Sequence, residues 1–248
     1  ETLKSSLRIF HKAFKNNIEL QLTTFYYRIF LLFSQLWNLE NNCSYLHSSA
    51  VEVNGKSIVF TADSGVGKSA LLFRLSAEKD FKFIADDLTI ISSDTKAFYQ
   101  GRCLSVKPYH LSFFPFLKTK LKKLMGSVQS LQWSLINDYR LTFRISPTDI
   151  FNEINEQSTI KSIIHLCNHT ADRFEIKDIS VKELLDYTIP IFSNELFLAH
   201  HKLNTLASLP NSPLIASVEM LKKTENIYAS TFENISLKLV FVPYKSNP

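Results

Sequence analysis

The spacing of hydrophobic positions predicts helices near the amino terminus. Four apolar residues recur there every three or four positions: Leu7, Phe10, Phe14 and Ile18. That spacing places them on one face of an α-helix. The apolar stretch 25–39, interrupted by polar residues, predicts a further amphipathic helix packed on the body of the protein. We therefore expect residues 1–42 to form a helical segment and 43–248 to form one larger domain.

From about residue 43 the pattern changes to extended runs separated by turns. The runs 45–53 and 56–61 are joined by Asn54-Gly55, and Asn-Gly between such runs is the strongest short hairpin signal. A hairpin pairs its two strands antiparallel, whereas a simple dinucleotide-binding unit is built on a parallel sheet. The sequence therefore predicts a mixed sheet.

Strands and helices alternate through the rest of the chain. Extended patterns occupy 81–85, 88–92, 98–106, 141–145, 162–166 and 237–242. Helical patterns occupy 70–79, 116–135, 193–207 and 213–225, and another helix begins near 181. This alternation indicates an α/β fold with a mixed central sheet covered by helices.

Composition narrows the classes of partner. The 248 residues are enough for one sizeable core. A net charge of +5 is too weak and too scattered to indicate nucleic-acid binding. No apolar run reaches the roughly 18 residues that predict a membrane span. Three cysteines without metal-ligand spacing are typical of free thiols in a reducing compartment. We expect a cytoplasmic protein with neither a membrane nor a nucleic acid as partner.

One loop carries the strongest chemical signal. Residues 62–69 read Ala-Asp-Ser-Gly-Val-Gly-Lys-Ser, which matches the phosphate-binding pattern G-x-x-x-x-G-K-[ST] except that Ala62 replaces its first glycine. Two of only five glycines in the chain stand here. The loop also lies between a predicted strand and a predicted helix, as that pattern requires. The alternative is a strand–helix turn that binds nothing.

The chemistry of this loop suits a nucleoside triphosphate. Glycines tolerate positive φ, so a tight turn can aim successive N–H groups at one anion, and the following helix adds its free amides. Lys68 can then reach the outer phosphates, and the Ser69 hydroxyl can bind Mg²⁺. The residues predicted to bind ATP are Asp63, Ser64, Gly65, Val66, Gly67, Lys68, Ser69 and Ala70.

Paired carboxylates follow the next predicted strand. Asp86-Asp87 end the run 81–85, at the strand end where open α/β sheets bind ligands. Successive side chains alternate across a strand, so we expect the two aspartates to have different tasks. One would hold Mg²⁺ and the other would face an incoming hydroxyl. The alternative is a solvated acidic turn.

Taken together, these motifs resemble those of the HPr serine kinase/phosphorylase family. The resemblance covers residues 45–92 and includes the stretch 46–55 (Leu-His-Ser-Ser-Ala-Val-Glu-Val-Asn-Gly), the loop 63–69 and the run Ala85-Asp86-Asp87-Leu88, in the same order and spacing. It implies a P-loop kinase core similar to that of phosphoenolpyruvate carboxykinase. It also implies transfer of the γ-phosphoryl group of ATP to a serine hydroxyl. The family's Arg-Gly-Leu-Gly signature is not found after the aspartates, so the expectation is limited to kinase activity.

Residue roles come from the same resemblance. It implies that Asp86 is the catalytic aspartate that takes the hydroxyl proton and that Asp87 lies near Mg²⁺ together with Ser69. It implies that Lys68 contacts phosphate and that His47 is an active-site histidine; the alternative for His47 is an ordinary core histidine. Phosphoryl transfer also calls for another cation at the γ-phosphate. The candidates for that cation are Lys107, Arg140 and Arg144.

The expected activity is therefore that of an ATP- and Mg²⁺-dependent serine kinase acting on a peptide or small protein. The short architecture is similar to stand-alone relatives that phosphorylate lasso precursor peptides in natural-product pathways. Two alternatives remain open at this point: a kinase of a small hydroxylated metabolite, and a nucleotide-binding regulator without catalysis. Because HPr kinases are hexamers, the resemblance also leaves a homo-oligomer open.

Overall fold

A mixed central sheet with helices on both faces forms the core of the molecule. The computed structural model describes residues 17–127, 130, 131, 133, 142–212 and 214–244. The strands in these residues are β1 Cys43–Leu46, β2 Ser48–Val53, β3 Lys56–Ala62, β4 Lys82–Ala85, β5 Thr89–Ser92, β6 Lys96–Phe98, β7 Leu104–Val106, β8 Phe143–Ile145, β9 Gln157–His169, β10 Glu175–Asp178 and β11 Ser236–Pro243. Strands β7 and β8 pair with each other outside the central sheet.

The helices lie before, between and after these strands. They are α1 Asn17–Phe25, α2 Leu31–Glu40, α3 Lys68–Leu75, α4 His110–Phe113, α5 Pro115–Leu124, α6 Val181–Glu195, α7 Phe197–Ala207 and α8 Ser217–Phe232. A π-helical turn, Tyr26–Phe30, joins α1 to α2, and a 3₁₀ turn, Pro147–Asp149, follows β8. No helix in the described ranges is long and apolar enough to cross a bilayer.

The sheet is mixed, as predicted. Strand β9 pairs parallel with β3 and with β11, while β1–β5, β5–β6, β6–β9, β2–β3, β2–β4 and β10–β11 pair antiparallel. The predicted hairpin is confirmed, since Val53 pairs with Lys56. Asn54 and Gly55 have φ values of 53° and 74°, the positive angles that a type I′ turn requires.

Strand directions bring three chain segments to one edge of the sheet. Because β3 and β4 both pair antiparallel with β2, they run in the same direction. Their carboxyl ends therefore lie beside the amino end of β2. We call this edge, formed by residues 47–49, 62–69 and 86–87, the loop edge, and we call residues 62–69 the glycine loop.

Alternate side chains of the strands build two separate cores. Val59 packs on one face of the sheet with α6 and α8, whose buried residues there include Leu184 and Tyr228. The next residue, Phe60, packs on the other face with α3 and α5, which contribute Leu72 and others. Successive side chains of a strand point to opposite faces of the sheet, so Val59 and Phe60 enter different cores. The strand before the glycine loop is therefore held from both sides.

The segment before β1 packs against the helices at the end of the chain. Leu31 and Leu32 of α2 are buried in a third cluster with Phe192, Leu203 and Met220. Helix α2 packs on the body of the protein as predicted, but its exposed face includes Phe33 and Trp37 instead of the polar residues that an amphipathic helix would present. Leu7, Phe10 and Phe14 lie outside the described residues. The domain boundary at residue 42 stays a prediction.

Several predicted elements differ from the observed ones. The run 45–53 is divided at His47, because β1 pairs with β5 whereas β2 pairs with β3 and β4. The run 98–106 is divided by Gly101, whose φ is 74°. The predicted helix 193–207 is two helices that meet at Leu196. The last helix begins at Ser217 and reaches Phe232, later than predicted at both ends.

Two further differences concern the middle of the chain. Strand β10 was not predicted; all four of its residues are exposed, so the alternation that marks a half-buried strand is missing. Helix α5 ends at Leu124, where Met125 turns to extended backbone. Part of the predicted helix 116–135 and the first residue of the predicted strand 141–145 lie outside the described residues.

Candidate active site

The glycine loop leaves β3 and turns directly into α3. Gly65 and Gly67 have φ values of 87° and 116°. A Cβ built on either would meet no atom within 4 Å, so the backbone angle, rather than crowding, requires glycine here. Gly67 caps α3, and its carbonyl accepts from the N–H of Leu71. The first-turn amides of α3 are therefore left for an outside acceptor, because a helix cannot satisfy its first N–H groups itself.

Lys68 is folded back onto the glycine loop. Its side chain is only 7% exposed, and its Nζ donates to the carbonyls of Ala62 at 2.8 Å and Asp63 at 3.2 Å. It also donates to Nε2 of His47 at 3.0 Å. Burial lowers the pKa of Lys68 to about 8, against the opposing pull of the Asp87 and Asp86 carboxylates. The ammonium group is thus kept at the loop by acceptors that carry no full charge.

His47 is a buried, neutral acceptor for that ammonium group. Burial, and then the charge of Lys68, lower the pKa of His47 to about 4. A neutral ring that accepts at Nε2 carries its proton on Nδ1. Nδ1 has no hydrogen-bond partner among the described residues, and it lies 4.0 Å from Asp87 Oδ1 and 3.9 Å from Glu195 Oε1. The histidine therefore lies between Lys68 and the carboxylates of Asp87 and Glu195, and its role as an active-site histidine stays a prediction.

Asp86 lies inside the loop edge and faces the glycine loop. It is 2% exposed. Its Oδ1 accepts from Ser69 Oγ at 2.9 Å and from Ser49 Oγ at 2.8 Å. Burial raises the pKa of Asp86 and the neighbouring charge of Asp87 raises it further, while the serine donors and the Ser105 backbone act in the opposite direction. The predicted magnesium serine is thus hydrogen-bonded to the first aspartate of the pair.

Asp87 faces outward from the same edge. Its backbone has φ 74°, uncommon for a residue other than glycine, and its side chain is 44% exposed. Oδ2 accepts from Arg102 Nη2 at 2.8 Å. The adjacent aspartates therefore have different surroundings, as expected, although the chain bends at 86–87 instead of continuing as a strand.

Arg102 was missed in the sequence. It lies in the loop between β6 and β7, and its side chain is only 9% exposed. Tyr26 packs with its ring centroid 5.3 Å from the guanidinium carbon, and Nη2 also donates to the Tyr27 hydroxyl at 3.2 Å. A single arginine within a predicted strand carried no sequence signal.

The candidates for an additional cation at the γ-phosphate stay predictions. Within the described ranges, neither Lys107 nor Arg144 forms an ion pair with Asp86 or Asp87; Arg144 Nη2 lies 3.5 Å from the Tyr27 hydroxyl. Arg140 lies outside the described residues. Among the described residues, Arg102 pairs with Asp87 at this edge.

Glu195 is a second residue that sequence patterns did not reveal. It is the last residue of α6, and burial raises its pKa, with the Asp87 charge adding to the rise. Its carboxylate lies near His47 Nδ1, as described above. Because α6 follows the glycine loop by more than a hundred residues, only the tertiary fold brings Glu195 here.

The donor set at the loop edge suits Mg²⁺. No group of three metal-ligating side chains occurs in the part of the chain that the structure describes. Mg²⁺ does not need one, because it is commonly held by one or two protein oxygens together with waters and nucleotide phosphates. Ser69 Oγ and the Asp86 carboxylate, 2.9 Å apart, are such oxygens. The residues present therefore fit a magnesium nucleotide.

The comparisons with known proteins add little to this picture. No family model matches the sequence, and no curated protein matches it. Among solved structures, the chain is distantly similar to the Hpr(Ser) kinase/phosphatase from Coxiella burnetii. The identity is 11%, the match covers 65% of this chain and 98% of that one, and the TM-score is 0.31. A similarity at this score has no bearing on function.

Proposed function

We propose that this protein is an ATP-dependent serine kinase that transfers the γ-phosphoryl group to a peptide or small protein. One observation carries the proposal: the fold brings the glycine loop, Lys68 and both aspartates to one edge of the sheet, with Ser69 hydrogen-bonded to Asp86. The sequence resemblance described above independently favours the same chemistry. Phosphoryl transfer depends mainly on positioning and on neutralising charge.

The glycine loop and α3 would hold the triphosphate. The free amides of the first turn and the positive end of the helix dipole favour a phosphate at this position. Lys68 would exchange the carbonyls of Ala62 and Asp63, 2.8 and 3.2 Å from its Nζ, for charged phosphate oxygens. A phosphate oxygen carries a negative charge that a carbonyl oxygen lacks, so the ammonium group gains Coulombic attraction from the exchange. The backbone N–H of Ala70 would serve the same phosphates, since its side chain is buried in the core.

Ser69 and Asp86 would hold Mg²⁺, which supplies charge neutralisation when bound. The resemblance implies the other aspartate for this task. The hydrogen bonds favour Asp86, because it contacts Ser69 and is buried, whereas Asp87 pairs with Arg102. The Ser49 hydroxyl, donating to Asp86 Oδ1 at 2.8 Å, would fix the orientation of that carboxylate.

Asp87 would then face the acceptor. It is the exposed member of the pair and is oriented by Arg102. The serine oxygen attacks the γ-phosphorus, the bond from that phosphorus to the β–γ bridging oxygen breaks, and ADP leaves with the electron pair. The hydroxyl proton passes to the Asp87 carboxylate. A positioned general base contributes about 10²- to 10⁴-fold to a rate.

The choice of acceptor rests on the sequence resemblance. A serine in a peptide, with lasso precursor peptides as the specific expectation, agrees with an edge where the base is 44% exposed. The acceptor class is therefore tested directly. Wild-type protein is incubated with γ-labelled ATP, Mg²⁺ and a library of serine-containing peptides, and labelled products are identified by mass spectrometry. A parallel incubation with a pool of hydroxylated metabolites tests the metabolite alternative.

Two variants separate the roles of the aspartates. We expect Asp87→Asn to bind Mg·ATP as well as wild type while losing about 10²-fold or more in transfer. We expect Asp86→Asn to need a higher Mg²⁺ concentration for nucleotide binding. Asp178→Asn, on the exposed strand β10, is the control. ATP binding without labelling of any peptide or metabolite would refute the proposal and favour a regulator.

A further inference from the structure

The π-helical turn Tyr26–Phe30 contacts the arginine that holds Asp87. Tyr26 places its ring 5.3 Å from the Arg102 guanidinium carbon, and the Tyr27 hydroxyl accepts from Arg102 Nη2 at 3.2 Å. The same nitrogen donates to Asp87 Oδ2 at 2.8 Å. A direct chain of contacts therefore runs from the amino-terminal segment through Arg102 to the outward-facing aspartate.

The two tyrosines act on Arg102 in different ways. They are neighbours in sequence, and their rings meet edge to face at 5.1 Å. Tyr27 offers its hydroxyl, whereas the Tyr26 hydroxyl is buried without a hydrogen-bond partner among the described residues. The contribution of Tyr26 is therefore the face of its ring, which attracts a cation through the ring quadrupole. A π-helical turn contains one more residue than an α-helical turn and is found frequently at functional sites.

Arg102 depends on Tyr26 and Tyr27 for its position. It extends from the loop between β6 and β7, next to Gly101 with φ 74°, and an arginine side chain loses considerable rotamer entropy when it is fixed. Its Nη1 is buried without a partner in the part of the chain that the structure describes. What keeps the guanidinium in place is therefore the Asp87 carboxylate on one side and the two tyrosines on the other.

Exclusion of water by the ring also strengthens the pair. Arg102 is 9% exposed, and an ion pair with reduced access to water has a larger Coulombic attraction than the same pair in bulk solvent. If Tyr26 lost its ring, water would reach the guanidinium, and Arg102 could adopt rotamers that leave Asp87. The carboxylate would then lose the partner that orients it.

We propose that Tyr26 is a positioning residue that acts through Arg102 to present the Asp87 carboxylate to the acceptor. This inference rests on the proposed kinase function and adds to it that the amino-terminal helical segment is a working part of the site. Tyr27 assists through its hydroxyl. No sequence motif indicates this role, because the contacts join residues about seventy-five positions apart.

The test is a double-mutant cycle. The measured quantity is kcat for phosphoryl transfer to the serine peptide that the wild-type protein labels most strongly. Tyr26→Leu keeps an apolar side chain but removes the ring, and we expect kcat to fall about tenfold or more with the Mg·ATP Kd unchanged. Tyr26→Phe keeps the ring and should restore what Tyr26→Leu loses. In an Arg102→Lys background, Tyr26→Leu should cost less than twofold, because the two residues act as one unit.

A matched control and a second measurement distinguish this role from general packing. Phe33→Leu, half exposed on α2, should leave kcat unchanged. The ¹⁵N heteronuclear NOE of the Arg102 Nε, assigned by its loss in Arg102→Lys, should show a rigid side chain in wild type and Tyr26→Phe and a mobile one in Tyr26→Leu. The NOE measurement does not require turnover, so it still tests whether Tyr26 holds Arg102 if wild type shows no transfer and the kinase proposal fails.

Three results would overturn the inference. One is equal loss of kcat on Tyr26→Leu in the wild-type and Arg102→Lys backgrounds, which would show that Tyr26 acts independently of Arg102. Another is an Arg102 Nε that stays rigid in Tyr26→Leu. The third is Tyr26→Phe being as damaging as Tyr26→Leu, since the hydroxyl would then matter and the ring would not. If Tyr26→Leu fails to fold, Tyr26→Trp is used instead, because it keeps a ring face. This variant should retain the wild-type kcat and the rigid Arg102 Nε, and loss of either would refute the positioning role of Tyr26.

Discussion

Lys68 should make nucleotide affinity depend on pH with a midpoint set by its burial. Its side chain is 7% exposed, and burial lowers its pKa to about 8. Only the ammonium form offers a charge to the phosphates. As the pH rises through about 8, the free protein loses this proton, and nucleotide binding has to restore it. Affinity for Mg·ATP should therefore decline on the alkaline side of that value.

The size of the decline follows from the pKa of about 8 and the titration curve of one group. At pH 9, one unit above the pKa of Lys68 in the free protein, about a tenth of the molecules carry the Lys68 proton. Affinity for Mg·ATP at pH 9 should therefore be about tenfold weaker than at pH 7, a loss of about 1.4 kcal/mol in binding free energy. The same lowered pKa affects folding. The unfolded chain binds more protons than the folded chain between about pH 8 and the ordinary lysine pKa, so the Lys68 contribution to the free energy of unfolding rises across that window.

Isothermal titration calorimetry measures both the decline in affinity and the proton uptake that accompanies it. Binding of Mg·ATP from pH 7 to 9.5 in two buffers with different ionisation enthalpies gives the affinity and the number of protons taken up. We expect uptake to approach one proton near pH 9, and we expect Lys68→Arg, which does not titrate in this range, to show neither uptake nor decline. Constant affinity across the range, or the same decline in Lys68→Arg, would refute the reasoning.

Three further substitutions test the framework of the site, each by chemical denaturation. Gly67→Ala places a side chain at φ 116° and should lower the free energy of unfolding by about 1–2 kcal/mol. The control is Gly126→Ala, at ordinary φ with open space around it, which should change that free energy by less than about 0.5 kcal/mol. Equal effects of the two substitutions would contradict a strained loop. Ser180→Ala removes the capping box of α6 and should cost about 1 kcal/mol, so an unchanged midpoint would show that the cap is not stabilising. Leu72 is fully buried on α3, so Leu72→Ala should cost about 2–5 kcal/mol; a smaller loss would mean that the core there is loosely packed.

Features of the fold that depend on local signals could be predicted from the sequence. Asn54-Gly55 specifies its turn through backbone angles that few other residues adopt, so the hairpin was visible without any tertiary information. The glycine loop is equally local, since the residues that shape it are consecutive. The sequence placed His47, Lys68, Ser69, Asp86 and Asp87 in one site, and the structure brings all five to the loop edge.

Features that depend on contacts distant in the chain could not be predicted. Arg102 and Glu195 reach the site because β6 pairs with β9 and α6 packs on the sheet, and neither event leaves a pattern near those residues. No local pattern marks Tyr26 either, because it lies within the apolar stretch 25–39 that predicts a helix. The proposed division of roles between the aspartates also needed the structure, because a strand pattern predicts that they differ but not which one contacts Ser69.

The central claim is that one edge of the sheet holds Mg·ATP between the glycine loop and Asp86. The most direct measurement is a crystal structure with a non-hydrolysable ATP analogue and Mn²⁺, whose anomalous scattering locates the metal. The account predicts a metal peak bonded to Ser69 Oγ and an Asp86 carboxylate oxygen, with the β- and γ-phosphates on the first-turn amides of α3. A nucleotide bound elsewhere, or a metal on Asp87 with Asp86 still hydrogen-bonded to Ser69, would contradict it.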